Sequence, residues 1–153
     1  MGIPIKTQKE IKAMMEGGQI LAFVLSETLK KAKPGVSTFE LDLYAEKLIK
    51  EKGAKAAFKG YHGFPGTLCT ALNEVIVHGI PKKEDIIKEG DLLTIDCGVI
   101  WNGMYTDAAR SIGIGKVSDD KERLLKVSKL ALNEAIKLAK EGNHLNMIGK
   151  KIE

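Results

Sequence analysis

The sequence predicts an α+β fold built from a helix–helix–strands unit followed by the start of a second copy of it. Three observations carry this. Two helices open on capping boxes, Thr7-x-x-Glu10 and Ser37-x-x-Glu40, in which a hydroxyl and a carboxylate satisfy each other's backbone amides. Asn102-Gly103 lies between alternating apolar runs, the strongest short-range signal for a two-residue hairpin. A late helical stretch repeats the first at an offset of 107 residues. Glu27 and Lys30 fall on Glu134 and Lys137, and Ala32-Lys33 on Ala139-Lys140. Gly35 falls on Gly142, and the apolar Ile20, Val24, Leu25 and Leu29 on Val127, Ala131, Leu132 and Ile136.

In chain order, the first helix runs from Thr7 to about Lys33 and ends at Pro34-Gly35. The second opens at Ser37, places Phe39, Leu41, Leu43, Leu48 and Ile49 as its apolar set, and stops at Gly53. Ala54 to Phe58 reads as a short strand, and Lys59 to Gly66 as a glycine-rich loop holding Tyr61, His62, Phe64 and Pro65. Strand-like runs follow at Thr67–Leu72 and Val75–His78, joined through Asn73-Glu74. Pro81 to Gly90 is a charged connection leading into the hairpin. A long amphipathic helix then spans about Asp119 to Glu141, capped by Ser118 and stopped by Gly142. These elements divide the chain into a first repeat over 1–115 and the first helices of a second over 116–153. Because Met147, Ile148 and Ile152 find no partner before Glu153, the second repeat is expected to be cut short, within a single truncated domain.

Bulk properties narrow the function classes. With 153 residues the chain can hold one sizeable core, and 29% charged with 44% hydrophobic residues is an ordinary soluble composition. Only Arg110 and Arg123 among the 24 basic residues are arginine, and the lysines are spread along helices. The net charge of +4 therefore reads as a solvated lysine surface rather than a specific nucleic-acid groove. Cys69 and Cys97 are 28 residues apart in strand-like segments and read as buried reduced thiols. Lys6, Lys9, Glu10 and Lys12 interrupt any signal-peptide pattern, and the longest apolar run, Ile20 to Leu25, cannot span a bilayer. A cytoplasmic protein with no membrane partner is expected.

The chemistry gathers on the hairpin. If Asn102-Gly103 is the turn, Trp101 pairs with Met104 and Gly98 with Asp107, which puts Asp96 and Asp107 on one face as diagonal neighbours roughly 7–8 Å apart. Ile95, Cys97, Val99, Trp101, Met104, Thr106 and Ala108 then face the core. Two like charges beside each other cost stability unless a cation lies between them. Solvated carboxylates on an outer face are the simpler explanation of such a pair. Against it, Ile100 and Tyr105 on the same face predict a concave, partly buried surface, and Gly98 leaves room for something to approach the backbone.

The run Asn73-Glu74-Val75-Ile76-Val77-His78-Gly79-Ile80-Pro81, preceded by Tyr61-His62-Gly63-Phe64-Pro65 and followed by the Asp96/Asp107 hairpin, resembles the type I methionine aminopeptidases. These belong to the wider pita-bread group that includes prolidases and creatinase. The resemblance covers nearly the whole chain in order and implies the pseudo-duplicated pita-bread fold. It implies removal of the initiator methionine from nascent peptides at a dinuclear metal centre. By resemblance Asp96 holds one metal and Asp107 bridges two, and ions about 3.5–4 Å apart polarise the scissile carbonyl and activate water. An all-oxygen pair admits Mn, Fe, Co or Zn. His78 resembles the histidine that contacts the scissile amide. Tyr61, Phe64 and Cys69 resemble the lining of a slot for the methionine thioether, and His62 a histidine on its rim. Phe58 and Phe64 depart from the family, which often has a smaller residue and a tyrosine there, and this alters the pocket.

The family's remaining ligands, one His and two Glu, come from a second half, and His144 precedes the strands that would carry them. The chain alone is therefore expected to be nearly inactive. The implied partners are N-terminal Met peptides or nascent chains, met at the ribosome. A naturally short, non-catalytic binding relative is the alternative, and the prolidase branch is disfavoured by the His-Gly-Ile-Pro segment. The face that would pack on the second repeat should be apolar, so self-association is expected, and light scattering would detect it.

Overall fold

The computed structural model describes residues 3–153, which form two compact units meeting at Lys116/Val117 in sequence. In the first unit, α1 (Gln8–Lys31) and α2 (Thr38–Glu51) both start at the capping boxes read from sequence. The Thr7 amide donates to Glu10 Oε2 at 2.7 Å, and the Ser37 amide to Glu40 Oε2 at 2.8 Å. The strands are β1 (Lys55–Ala56), β2 (Leu68–Leu72), β3 (Leu92–Trp101) and β4 (Met104–Gly113). All pairings are antiparallel: β1 and β2 share one edge of β3, and β4 takes the other.

The hairpin register is the one expected. Trp101 pairs with Met104, Gly98 with Asp107 and Asp96 with Ala109. Asn102 and Gly103 adopt φ of 49° and 79°, the paired left-handed conformation a two-residue primed turn requires. One face of β3 supplies Leu93, Ile95, Cys97 and Val99, all fully buried against Leu21, Val24 and Leu25 of α1 and Leu41, Ala45 and Ile49 of α2. At roughly 1.5–3 kcal/mol per fully buried aliphatic side chain, this layer is the main source of stability in the unit.

Three sequence expectations are corrected. Val75–His78 is not a strand; it is a loop in which Val75, Ile76 and Val77 are exposed. The β-branched run meets no free strand edge, because Asn73 turns the chain at φ 51° and Gly79 returns to Thr70. Gly98 leaves no free space, since a Cβ there would lie 2.6 Å from Phe58 Cε1 and 2.8 Å from Ala57 Cβ. Ala108 is exposed, although alternation assigned it to the core face, because it lines an open pocket between β4 and Met14, Gly18 and Ala22 of α1. The charged connection at 81–90 is also tied in: Ile86 bridges Ser37 and Ile87 is fully buried.

The second unit holds α3 (Asp119–Leu138) and α4 (Asn146–Ile152). Ser118 caps α3, and Asp119, Asp120 and Glu122 complement its dipole. The helices α1 and α3 end 107 residues apart, and Gly35 and Gly142 follow them at φ 91° and 85°. Leu124, Val127, Leu130, Leu132 and Ile136 of α3 are each more than half exposed. None of the described helices is long and apolar enough to cross a membrane.

Candidate metal centre

Strand β3 carries Asp96 at its middle, with Cys69 of β2 directly opposite on one side and Ala109 of β4 on the other. Asp107 lies on the neighbouring strand, two pairs further along as the partner of Gly98, on the same face. Asp96 is half-buried and Asp107 exposed, so the carboxylate surface is more open than alternation predicts, and Tyr105 beside it is also exposed. The face is closed at one end by Phe58, whose ring fills the space over Gly98, the partner of Asp107.

Asp96 is the electrostatic focus. Its pKa is pushed up to about 6, first by burial, then by the charge of Asp107, which comes close enough to share a hydrogen bond with it. His78 and the Cys97 amide act in the opposite direction. One oxygen of Asp96, Oδ1, is buried and accepts no hydrogen bond. A buried carboxylate oxygen without a donor, facing a second carboxylate, is a costly arrangement in a protein without a cation. A hard divalent ion would supply the missing partner and cancel the repulsion, so this pair fits the metal that sequence predicted. Among the described residues, no group of three or more His, Cys, Asp or Glu is arranged to hold a metal.

The other expected residues arrive by different routes. Cys69 is buried beside Asp96, and its thiol is pushed up to about 11 by burial and by Asp96, Asp107 and Asp42, which makes it a packing group rather than a nucleophile. Cys97 faces the core with its thiol at about 12, chiefly through burial, and both cysteines are free. His78 is exposed at φ 57°, a conformation uncommon outside glycine, and its charge is felt at Asp96. Tyr61, His62 and Gly63 make a single 3-10 turn, closed by the Gly60 amide donating to Phe64 O at 2.8 Å. The Tyr61 and His62 rings meet edge to face with centroids 4.4 Å apart. Tyr61 and His62 are exposed and Phe64 is half-buried. Sequence reasoning passed over the contact between Phe58 and the hairpin; its signal was Gly98, a glycine inside a strand, which marks close approach of another group.

The family model described as metallopeptidase family M24 matches residues 12–153. The chain belongs to this family. Methionine aminopeptidase of Clostridium acetobutylicum is 43% identical over 151 residues, 99% of this chain and 60% of that protein. Methionine aminopeptidase 1 of Bacillus subtilis is 43% identical over 148 residues, 97% of this chain and 59% of that protein. The crystal structure of methionine aminopeptidase from Thermotoga maritima superposes with a TM-score of 0.96 at 35% identity, covering 99% of this chain and 61% of that one. The M24 chain described here thus spans about 60% of the length of its curated relatives, and its fold is the pita-bread fold over that span. Membership of a metallopeptidase family carries divalent-metal chemistry with it.

Proposed function

We propose that this chain carries the amino-terminal side of a metallo-aminopeptidase centre acting on peptides that begin with methionine. The observation that carries the reading is the Asp96/Asp107 pair, with the orphaned Asp96 Oδ1 between buried strand and open face. In this reading Asp96 and Asp107 would hold the divalent metal, with Mn, Fe, Co or Zn as candidates. When bound, the ions polarise the scissile carbonyl and lower the pKa of water. His78, whose charge lowers the pKa of Asp96, would hydrogen-bond the scissile amide. Cys69, Phe64 and Tyr61 would line the apolar slot for the thioether, with His62 at its rim. The substrates would be nascent chains, met as they leave the ribosome. That relatives 37–43% identical are methionine aminopeptidases supports the substrate class.

Two carboxylates do not by themselves fix two divalent ions, so turnover by this chain alone should be close to background. A non-catalytic peptide-binding role is the second reading, favoured by the lack of a third ligand among the described residues. The test is elemental analysis of the chain equilibrated with Mn(II), beside Asp96→Asn and Asp107→Asn, with hydrolysis of a Met-Ala peptide measured on the same samples. Each substitution should weaken metal binding by more than the roughly 10–100-fold that follows loss of a supporting outer-shell group. Equal metal in all three proteins would remove the site.

A further inference from the structure

Helix α2 grips the segment that carries His78 at two points. Thr38 and Asp42, four residues apart, lie on one face of the helix, and both are buried. Thr38 Oγ1 donates to Lys82 O at 3.1 Å and accepts from the Lys82 amide at 2.9 Å. Asp42 Oδ1 accepts from the Thr67 amide at 2.7 Å and from the Leu68 amide at 2.8 Å. These are the two ends of one excursion, residues 67–82. It contains Cys69, which faces Asp96 across the sheet, and the loop that presents His78.

Inside the excursion the backbone is over-determined. Asn73 and His78 both take left-handed φ, at 51° and 57°, a conformation uncommon outside glycine in which Asn and His are enriched. At the return point the Thr70 amide donates to Gly79 O at 2.9 Å. A Cβ on Gly79 would fall 2.0 Å from Thr70 O, so no other residue could take its place without moving β2. Thr70 is one residue from Cys69, and Gly79 one residue from His78. Whatever fixes β2 and Lys82 therefore also fixes the backbone on both sides of His78.

We propose that Thr38 and Asp42 are positioning residues, a two-point clamp from α2 that holds both ends of the 67–82 excursion and so sets where His78 stands relative to Asp96. The functional meaning rests on the reading of His78 as the substrate-contacting histidine; the clamp itself is a statement about position. A buried carboxylate on the core side of a helix is costly, and two backbone amides donating to one oxygen are what stabilise it here. The same bonds remove two buried donors at the start of β2 that no strand partner satisfies.

The test compares the parent chain with Thr38→Val, Thr38→Ser and Asp42→Ala by NMR, without added metal. Two signals are read: exchange of the Thr70 amide relative to the core amides of Ile95 and Val99, and the ring-proton shifts of His78 relative to those of exposed His144. Thr38→Val and Asp42→Ala, which remove the hydroxyl and the acceptor oxygen, should each speed Thr70 exchange by about tenfold or more against the core amides, and move the His78 ring signals toward those of His144. Thr38→Ser keeps the hydroxyl and should restore both parent signals. Either disruptive variant remaining parent-like overturns the clamp, as does equal acceleration at Ile95 and Val99, which would mean general loosening. If Asp42→Ala does not fold, the Thr38 pair decides. Because no metal is present, loss of the clamp and loss of the metal centre show up in separate experiments.

Discussion

Strands β3 and β4 have the same length, belong to one hairpin and are paired over every residue, yet they live in different surroundings. Along β3, Leu93, Ile95, Cys97 and Val99 are completely buried; along β4, no residue is. The difference is position in the sheet. The central strand has strand partners on both edges, whereas β4 has β3 alone for a strand partner among the described residues, and an open pocket lies between β4 and α1. The two carboxylates inherit this. Asp96, on the central strand, is desolvated and left with an orphaned oxygen, while Asp107 reaches it from an exposed strand. A metal held by this pair would have one ligand on the half-buried central strand and one on the exposed strand.

The largest test of that contrast is truncation. Ile95→Ala should cost about 2–5 kcal/mol in a urea titration, as for a large-to-small change at a sealed site. Tyr105→Ala on β4, at 63% exposure, should cost less than about 1 kcal/mol. Similar costs would erase the distinction between the strands. Next comes Gly98→Ala, which drives a methyl into Phe58 and Ala57 and should destabilise by about 1–3 kcal/mol. Adding Phe58→Ala should recover part of that loss; strict additivity of the two would show that the ring does not press on the hairpin.

The smallest effect is a pH dependence. The Asp96 pKa is raised from 3.8 to about 6 on folding, so the native state binds the extra proton between these values and stability falls as pH rises through that window. The penalty is absent below about pH 4 and complete above about pH 6. With a chelator present, Asp96→Asn should therefore raise Tm near pH 7 by about 1–2 °C, a gain discounted for partial solvent exposure, and the gain should vanish near pH 4. An unchanged difference at both pH values would show that Asp96 titrates normally.

Local chemistry made much of this readable in advance. Thr7/Glu10 and Ser37/Glu40 announce their helices because the bonds that cap a helix join residues three apart in the chain. Asn102-Gly103 announces its turn, and the turn fixes the register that pairs Gly98 with Asp107. Val75-Ile76-Val77 misled because β-branched residues signal a strand only where an edge is available to receive them. The clamp residues Thr38 and Asp42 gave no signal, since their partners lie 25 to 44 residues away.

By itself, then, the sequence determined the helix starts, the hairpin and the shared face of Asp96 and Asp107, all of which follow from interactions within a few residues and from the twofold period of a strand. Only the tertiary structure decided which strand is central, that Phe58 occupies the space over Gly98, that Asp96 Oδ1 is left without a donor, and that α2 holds both ends of the His78 excursion. Burial and desolvation arise from segments distant in the chain, and no local pattern records them.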